Sequence, residues 1–493
     1  MESPATATQQ EMCRTRAEEH NLRFSATRTL PVEILCQIFR IIFTSHSGRR
    51  LSLYVTHVCR AWRSAALDDP HLWTDLTKLT GCNHDLARDL IARSKDLPVD
   101  IAYWGDEHNA DTFSSPVSSL KLDLISTPHR FRALSFMCPD DDFLAKFVYP
   151  TTSLIRLRFG CGVCTIPPNF LGGFAPRLRH LSFEHINITP VTQWMQNIHT
   201  LHVFSNPLAR GDAAQKALTD ALEAMPLLEF LSLTSHKPAH DLPLSVPKAI
   251  RLIHLTRIDL TTDFSQILDC ISCPNLLILH ITCPRLNVCA NIIHTAKFFA
   301  ETTGVTLTSV SWATRGRLRK ICIWEASRDR RLIINGCRVS IPDNILNDMT
   351  AIFPTLSALQ LYSADIIPFP LCNLPTITDL TLRDGHAFLF EGDIADNFFP
   401  GLKRLTYEKT LIDVELVGKL TRWMDQRETA LEALTFQKYG GLTRELIATL
   451  EQRSAVRCEG CHIDCRRGHT QMSEIALCTC LRESSMISVF LCH

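Results

Sequence analysis

Leu228-Glu229-Phe230-Leu231-Ser232-Leu233 is one copy of a short pattern that keeps returning through this 493-residue chain. Positions one, four and six are apolar and position five is polar. With Ile, Val, Phe or Tyr substitutions, the pattern starts at Phe131, Leu154, Leu178, Ile198, Leu228, Leu255, Leu276, Leu318, Leu356, Ile377, Leu402 and Leu431. The eleven steps from Phe131 to Leu431 cover 300 residues and average about 27. Neighbouring side chains of a strand face opposite sides, so if positions four and six are core, position five must face outward. Those residues are Ser135, Arg158, Ser182, His202, Ser232, Asp259, His280, Cys322, Gln360, Thr381, Thr406 and Thr435. All but Cys322 are polar, so each copy is predicted to be a strand with one buried face.

Proline often precedes the strand, as at Pro176, Pro226, Pro274, Pro354, Pro375 and Pro400. There it ends the preceding helix and sets an extended entry. Helical segments such as Ala213–Ala224 and Val414–Gln426 fit an outer layer. The period resembles that of leucine-rich repeats, which run about 20–29 residues. That resemblance implies a curved solenoid in which each repeat covers its neighbour's core. An ordinary α/β domain with strands of similar appearance is the alternative. The gaps of 42 and 38 residues on either side of Leu318 are exceptions. Either degenerate repeats lie near 305–310 and 332–334, or insertions loop out.

On the outward, concave face the third, fifth and seventh positions include Arg156, Arg158, His180, Glu184, Arg257, Asp259, Lys320, Trp324, Tyr362, Arg383, Arg404 and Glu408. Mixed charge with aromatic interruptions suits a protein target better than a nucleic acid. Arg156, Arg158, His180, Arg257, Asp259, Lys320, Trp324, Tyr362 and Arg404 are the candidate target-binding residues.

Ahead of the repeats the periodicity changes from two to 3.6. Ile34, Leu35, Ile38, Phe39 and Ile42 form one helical stripe, opened by a Thr29 cap, Pro31 and Glu33 in the first turn. After SHSGRR (45–50) a second periodic set runs Val55, Val58, Trp62, Ala65 and Ala66, and Asp68-Asp69-Pro70 stops it. About fifty residues cannot bury all these apolar groups, so some are committed to a partner or to a larger core that the helices cap.

The strings LPVEILCQIF (30–39), VCRAWRSAAL (58–67) and HLW (71–73) resemble the F-box, most closely the F-box-like proteins of mushroom-forming (basidiomycete) fungi. Leu97-Pro98-Val99-Asp100-Ile101 extends that likeness. The resemblance implies docking on a Skp-type adaptor, itself bound to a cullin, through Leu30, Pro31, Ile34, Leu35, Ile38, Phe39, Val58, Cys59 and Trp62. It further implies a non-catalytic substrate receptor of an SCF-type ubiquitin ligase. An interaction scaffold with a degenerate F-box and no ligase role is the alternative.

Composition is consistent with either. Hydrophobic residues make up 45% of the chain, and Lys+Arg and Asp+Glu number 51 each, leaving no global field to attract nucleic acid or anionic lipid. The polar start MESPATATQQ has no signal-peptide pattern and no apolar run reaches the ~18 residues of a membrane span. The expectation is a protein of the cytoplasm and/or nucleus whose twenty cysteines are mostly reduced. No nucleotide, hydrolase or metalloprotease motif occurs, and no cofactor or metal is expected. Cys161-Gly162-Val163-Cys164 sits where a turn is needed. The tail residues Cys458, Cys461, His462, Cys465, His469, Cys478, Cys480 and Cys492 fit no standard finger spacing; zinc binding there is the less favoured reading.

The expected fold class is α/β, a short all-α F-box of three helices followed by a leucine-rich-repeat solenoid with a curved parallel sheet and outer helices. The boundaries are a flexible 1–27, F-box 28–76, linker and cap 77–129, repeats 130–450, and a poorly ordered Cys-rich tail 451–493.

Overall fold

The structure, a computed structural model, describes residues 9, 11–16, 19, 30–45, 54–77, 84–104, 128–137, 144–160, 166–184, 193–204, 212–234, 250–261, 267–283, 289–304, 306–315, 318–325, 330–337, 345–363, 374–383, 399–408, 412, 414–437 and 443–459. Thr29, Cys161, Cys164 and the tail beyond Glu459 lie outside them.

The N-terminal module is built from helix α1 (Val32–Ser45), helix α2 (Arg60–Asp68) and a short 3-10 turn, Pro70–Trp73. The second periodic set is not one helix. The chain turns at 56–58, and Cys59 caps α2, its Sγ accepting from the Trp62 N–H at 3.5 Å. Val55 and Val58 therefore precede α2. Asp69 ends it and caps the 3-10 turn, accepting from the His71 N–H at 3.2 Å. Trp73 is buried, and its indole N–H donates to the Ala66 carbonyl at 2.9 Å.

Among the described residues the remainder is mixed α/β, dominated by one sheet of seventeen strands. Its strands are β1 (Asp75–Leu76), β2 (Val99–Trp104), β3 (Phe131–Met137), β4 (Arg156–Gly160), β5 (His180–Glu184), β6 (Thr200–Phe204) and β7 (Phe230–Thr234). β8 (Ile250–Arg251) and β10 (Ile271–Ser272) form a separate parallel pair. The main sheet resumes with β9 (Arg257–Thr261), β11 (Ile278–Cys283), β12 (Ser309–Arg315), β13 (Leu318–Trp324), β14 (Arg331–Cys337) and β15 (Ala358–Ser363). It ends with β16 (Asp379–Arg383), β17 (Arg404–Glu408), β18 (Ala433–Gln437) and β19 (Ala455–Glu459).

Pairing runs parallel and in sequence from β1 to β7, then through β9 to β11. It is parallel again from β15 to β19. The segment 77–129 thus contributes β2 to the sheet, and the sheet itself begins at Asp75, immediately after the helical module.

A recurring turn sets this register. The N–H of position one donates three residues back in Leu178, Ile198, Leu228, Leu255, Leu276, Leu356, Ile377 and Leu402, at 3.0–3.3 Å. Position one is buried in each copy, and the strand opens two residues later. Neighbouring turns lie very close where no side chain intervenes. A Cβ added at Gly401 would stand 2.4 Å from the Pro375 carbonyl oxygen. Gly401→Ala is expected to cost about 1–3 kcal/mol of stability, read as a lower urea midpoint.

The region around Leu318 corrects the repeat count. β11 pairs in parallel with β14, β14 antiparallel with β13, β13 antiparallel with β12, and β12 in parallel with β15. Leu318 therefore opens a reversed strand rather than a repeat of the common kind. The two positions suspected of degeneracy are strands, but in swapped spatial order.

One face of the sheet is buried by positions four and six together with residues of the helices. These include Leu218, Ala221 and Leu222 of α4 (Asp212–Glu223), Ile292, Ala296 and Phe299 of α5 (Cys289–Thr303), and Leu416, Leu420 and Trp423 of α7 (Val414–Gln426). Helices α3 (His84–Arg93), α6 (Ile345–Ile352) and α8 (Arg444–Glu451) lie in sequence between β1 and β2, β14 and β15, and β18 and β19. Position six of β3, β4 and β5 stacks phenylalanines, with ring centroids 5.5 Å apart for Phe136–Phe159 and 5.8 Å for Phe159–Phe183. Phe147 and Phe170 close against them.

Candidate functional site

Helix α1 is apolar on two faces. Leu35 and Phe39, one turn apart, point into the module, and Phe39 meets the Trp62 ring at 5.0 Å. Ile34, Ile38 and Ile41 follow a second line of i, i+4, i+7 spacing. Ile34 is 40% and Ile41 65% exposed, and Ile38 is half-buried. Val58 and Tyr54, just before α2, are each 60% exposed. These residues leave the module with an apolar surface that a free, fully soluble domain would cover or replace.

Of the nine residues named for adaptor contact, Pro31, Ile34, Val58 and Cys59 are exposed, and Leu30, Ile38 and Trp62 half-buried. Leu35 and Phe39 are fully buried, so they hold α1 in place instead of offering surface. Ile41 and Tyr54, not among the nine, add to the exposed apolar surface. The i+7 spacing of Ile41 was readable, but a single-stripe reading of α1 concealed it. The indole N–H of Trp62 is buried with no hydrogen-bond partner among the described residues.

An ion pair fixes the module's geometry. Arg40 donates from Nε and Nη2 to the two carboxylate oxygens of Asp69, both at 2.8 Å. The Asp69 side chain is only 3% exposed. The hydrogen bond to Asp69 is also the main reason the Arg40 guanidinium is raised above its ordinary range. On the other side, the Arg93 guanidinium of α3 sits 5.1 Å over the Trp73 ring, and the Asp100 N–H donates to the Thr74 carbonyl at 2.8 Å. The apolar surface is thus joined to the first strands by packing and by main-chain pairing.

The second candidate surface is the outward face of the sheet. Register brings Arg156 beside His180, Ser182 beside His202, Phe230 beside Arg257, and Asp259 beside His280. Arg257 donates to Asp259 at 3.0 and 2.8 Å, and its guanidinium lies 4.9 Å over the Phe230 ring. His202 meets Phe230 edge-on at 4.9 Å and stacks on Phe204 at 6.1 Å.

Burial opposes ionisation of Asp259, but hydrogen bonds from His280 and Arg257 outweigh it and hold the carboxyl below the usual range. Burial lowers His202, helped by His180, Arg158 and Arg257 and opposed by Asp259. Burial likewise lowers His180, with Arg156 and His199 adding to it. These histidines are disposed to be neutral at pH 7 and to act as hydrogen-bonding groups.

Among the other named target-binding residues, Arg156 and Arg158 are exposed on β4, and Trp324 is half-buried on β13 opposite Arg331. Arg404 is engaged by Asp379 across β16 and β17. Lys320 and Tyr362 lie on β13 and β15, and their side chains are outside the described residues. Arg331 and Phe230 enter this face although they were not named, and His280, expected to face outward, joins them without having been singled out for target binding. Arg331 was hidden by the irregular spacing around Leu318.

Among the described residues no group of three or more His, Cys, Asp or Glu could hold a metal ion, and no helix is long and apolar enough to cross a membrane. Cys458 is exposed on β19. Burial pushes the Cys273 thiol up to about 12, which makes it a packing group rather than a nucleophile.

Residues 27–78 match the family described as F-box-like. No curated protein matches the chain.

Proposed function

We propose that this chain is the substrate-recognition subunit of an SCF-type ubiquitin ligase. Its F-box-like domain docks on a Skp-type adaptor, through it on a cullin, and the strands hold a target protein. The observation that carries the reading is the coincidence of the F-box-like match with an apolar line on α1, exposed Ile34 and Ile41 with half-buried Ile38 between them, and with exposed Val58 just before α2. F-box domains generally bind such adaptors, and an apolar face of this kind needs a partner to cover it. In this reading the sheet is a leucine-rich-repeat solenoid. The chain supplies proximity, and ubiquitin transfer belongs to other subunits in the cytoplasm and/or nucleus. Continuity between the module and β1 supports that division. A target held on the sheet keeps a fixed position relative to the adaptor, which raises its effective concentration at the transfer site.

The test is Ile34→Asp combined with Val58→Asp. Both residues are exposed, so the urea midpoint should hardly move. Affinity for a purified Skp-type adaptor should fall by about 100-fold or more, as expected when charge enters the centre of an apolar interface. Unchanged affinity would reject this surface as the dock.

A further inference from the structure

Charge is distributed unevenly along the outward face of the sheet. From β15 to β19 its described charged residues are Asp379, Arg383, Arg404, Glu408, Arg457 and Glu459, three cations against three anions. They are largely matched within the face. Arg404 engages Asp379, Arg383 lies 3.6 Å from Glu408, and Gln437 donates to Glu459 at 2.8 Å. Within the strands from β4 to β14 the charges with described side chains are Arg156, Arg158, Arg257 and Arg331 against Asp259, four minus one, a surplus of three cations; Glu229, just ahead of β7, is engaged by His199 at 2.8 Å. Asp259 is already held by Arg257 and His280. His180, His202 and His280 occupy the same span.

We propose that the face from β4 to β14 binds an extended acidic segment of the target, laid across the strands; this rests on the reading of the sheet as the target surface. The register supplies the length. Arg156, His180, Thr200, Phe230, Arg257, Ile278 and Arg331 stand side by side on β4, β5, β6, β7, β9, β11 and β14. Six steps at ~4.8 Å span ~29 Å, the reach of about nine extended residues. Arginine forks along that row match carboxylates in geometry as well as in charge.

The same face is poorly made for nucleic acid. A single strand needs open aromatic faces on which bases stack. Phe230 has Arg257 over its ring and His202 against it, both at 4.9 Å. The chain as a whole carries a formal charge of +0, so no long-range field assists a polyanion.

The full chain would be titrated with a fluorescent peptide of about ten residues alternating Glu and Gly, with its Lys counterpart, and with an oligo-dT of similar length. The Glu peptide should bind, more weakly as salt rises. Arg156→Glu with Arg331→Glu should weaken it about tenfold. Arg457→Glu on β19 should leave it within about twofold. The Arg156→Gln, Arg331→Gln pair gives the same reading, with a smaller loss, should charge reversal disturb folding. No binding of the Glu peptide, equal or tighter binding of the Lys peptide or oligo-dT, or an equal loss from Arg457→Glu would overturn the proposal. Adaptor capture by the same samples separates the two readings. Lost acidic preference with the adaptor still captured removes only this inference. Acidic preference without adaptor capture removes the ligase reading instead.

Discussion

Phe159→Ala should lower the unfolding free energy by about 3–5 kcal/mol, with a clear drop in the urea midpoint. Phe159 has no exposed surface, and its ring is the centre of a run in which Phe136 and Phe183 stack on either side. Phe170 touches it at 5.8 Å from a covering segment. Truncation removes three aromatic contacts at once. Each neighbour is held by its own strand register or turn, so the cavity cannot collapse easily. Phe159→Leu should retain more than half of the lost stability, because volume and burial matter more here than ring geometry. An equal loss for Leu and Ala would instead assign the effect to the stacked rings themselves.

The second large effect concerns a charge. Arg40→Met is expected to destabilise the N-terminal module by about 2–3 kcal/mol, and more than Asp69→Asn does. The asymmetry follows from exposure. Arg40 is 45% exposed and can return to water when its partner is lost, whereas the Asp69 carboxylate, 3% exposed, would remain buried without its cation. Asp69→Asn also preserves an oxygen to accept the His71 N–H that begins the 3-10 turn. The double variant should therefore be more stable than Arg40→Met alone, a sign that urea titration of the three proteins reads directly. Equal costs for the two single variants would mean that the pair is effectively solvent-screened.

The strands and the side each residue faces were legible because alternation is local. In β17, Leu405 and Tyr407 are buried while Thr406 between them is half-exposed, as period two requires. Direction was not legible. Leu318, Ile321 and Ile323 give the same alternation whichever way the strand runs, so β13 read as another parallel copy although it is reversed. Only the spacing on either side of it registered the difference.

Helix α1 posed a different problem. Its apolar residues occupy two faces, and hydrophobicity alone does not distinguish a face that meets Trp62 from one that meets solvent. That choice is made by residues about thirty positions away, in α2 and the 3-10 turn. The Arg40–Asp69 pair has a sequence separation of 29 and no local signature. Cys59 as a helix cap went unread because sulfur is a weak acceptor and cysteine is not among the favoured caps.

The proposed function stands on docking to a Skp-type adaptor. Its most direct test is isothermal titration of the purified full-length chain with a purified adaptor, alongside a urea titration showing that the chain is folded. A one-to-one complex with submicromolar Kd is expected, as for a well-packed apolar interface. A folded chain that takes up no adaptor would contradict it.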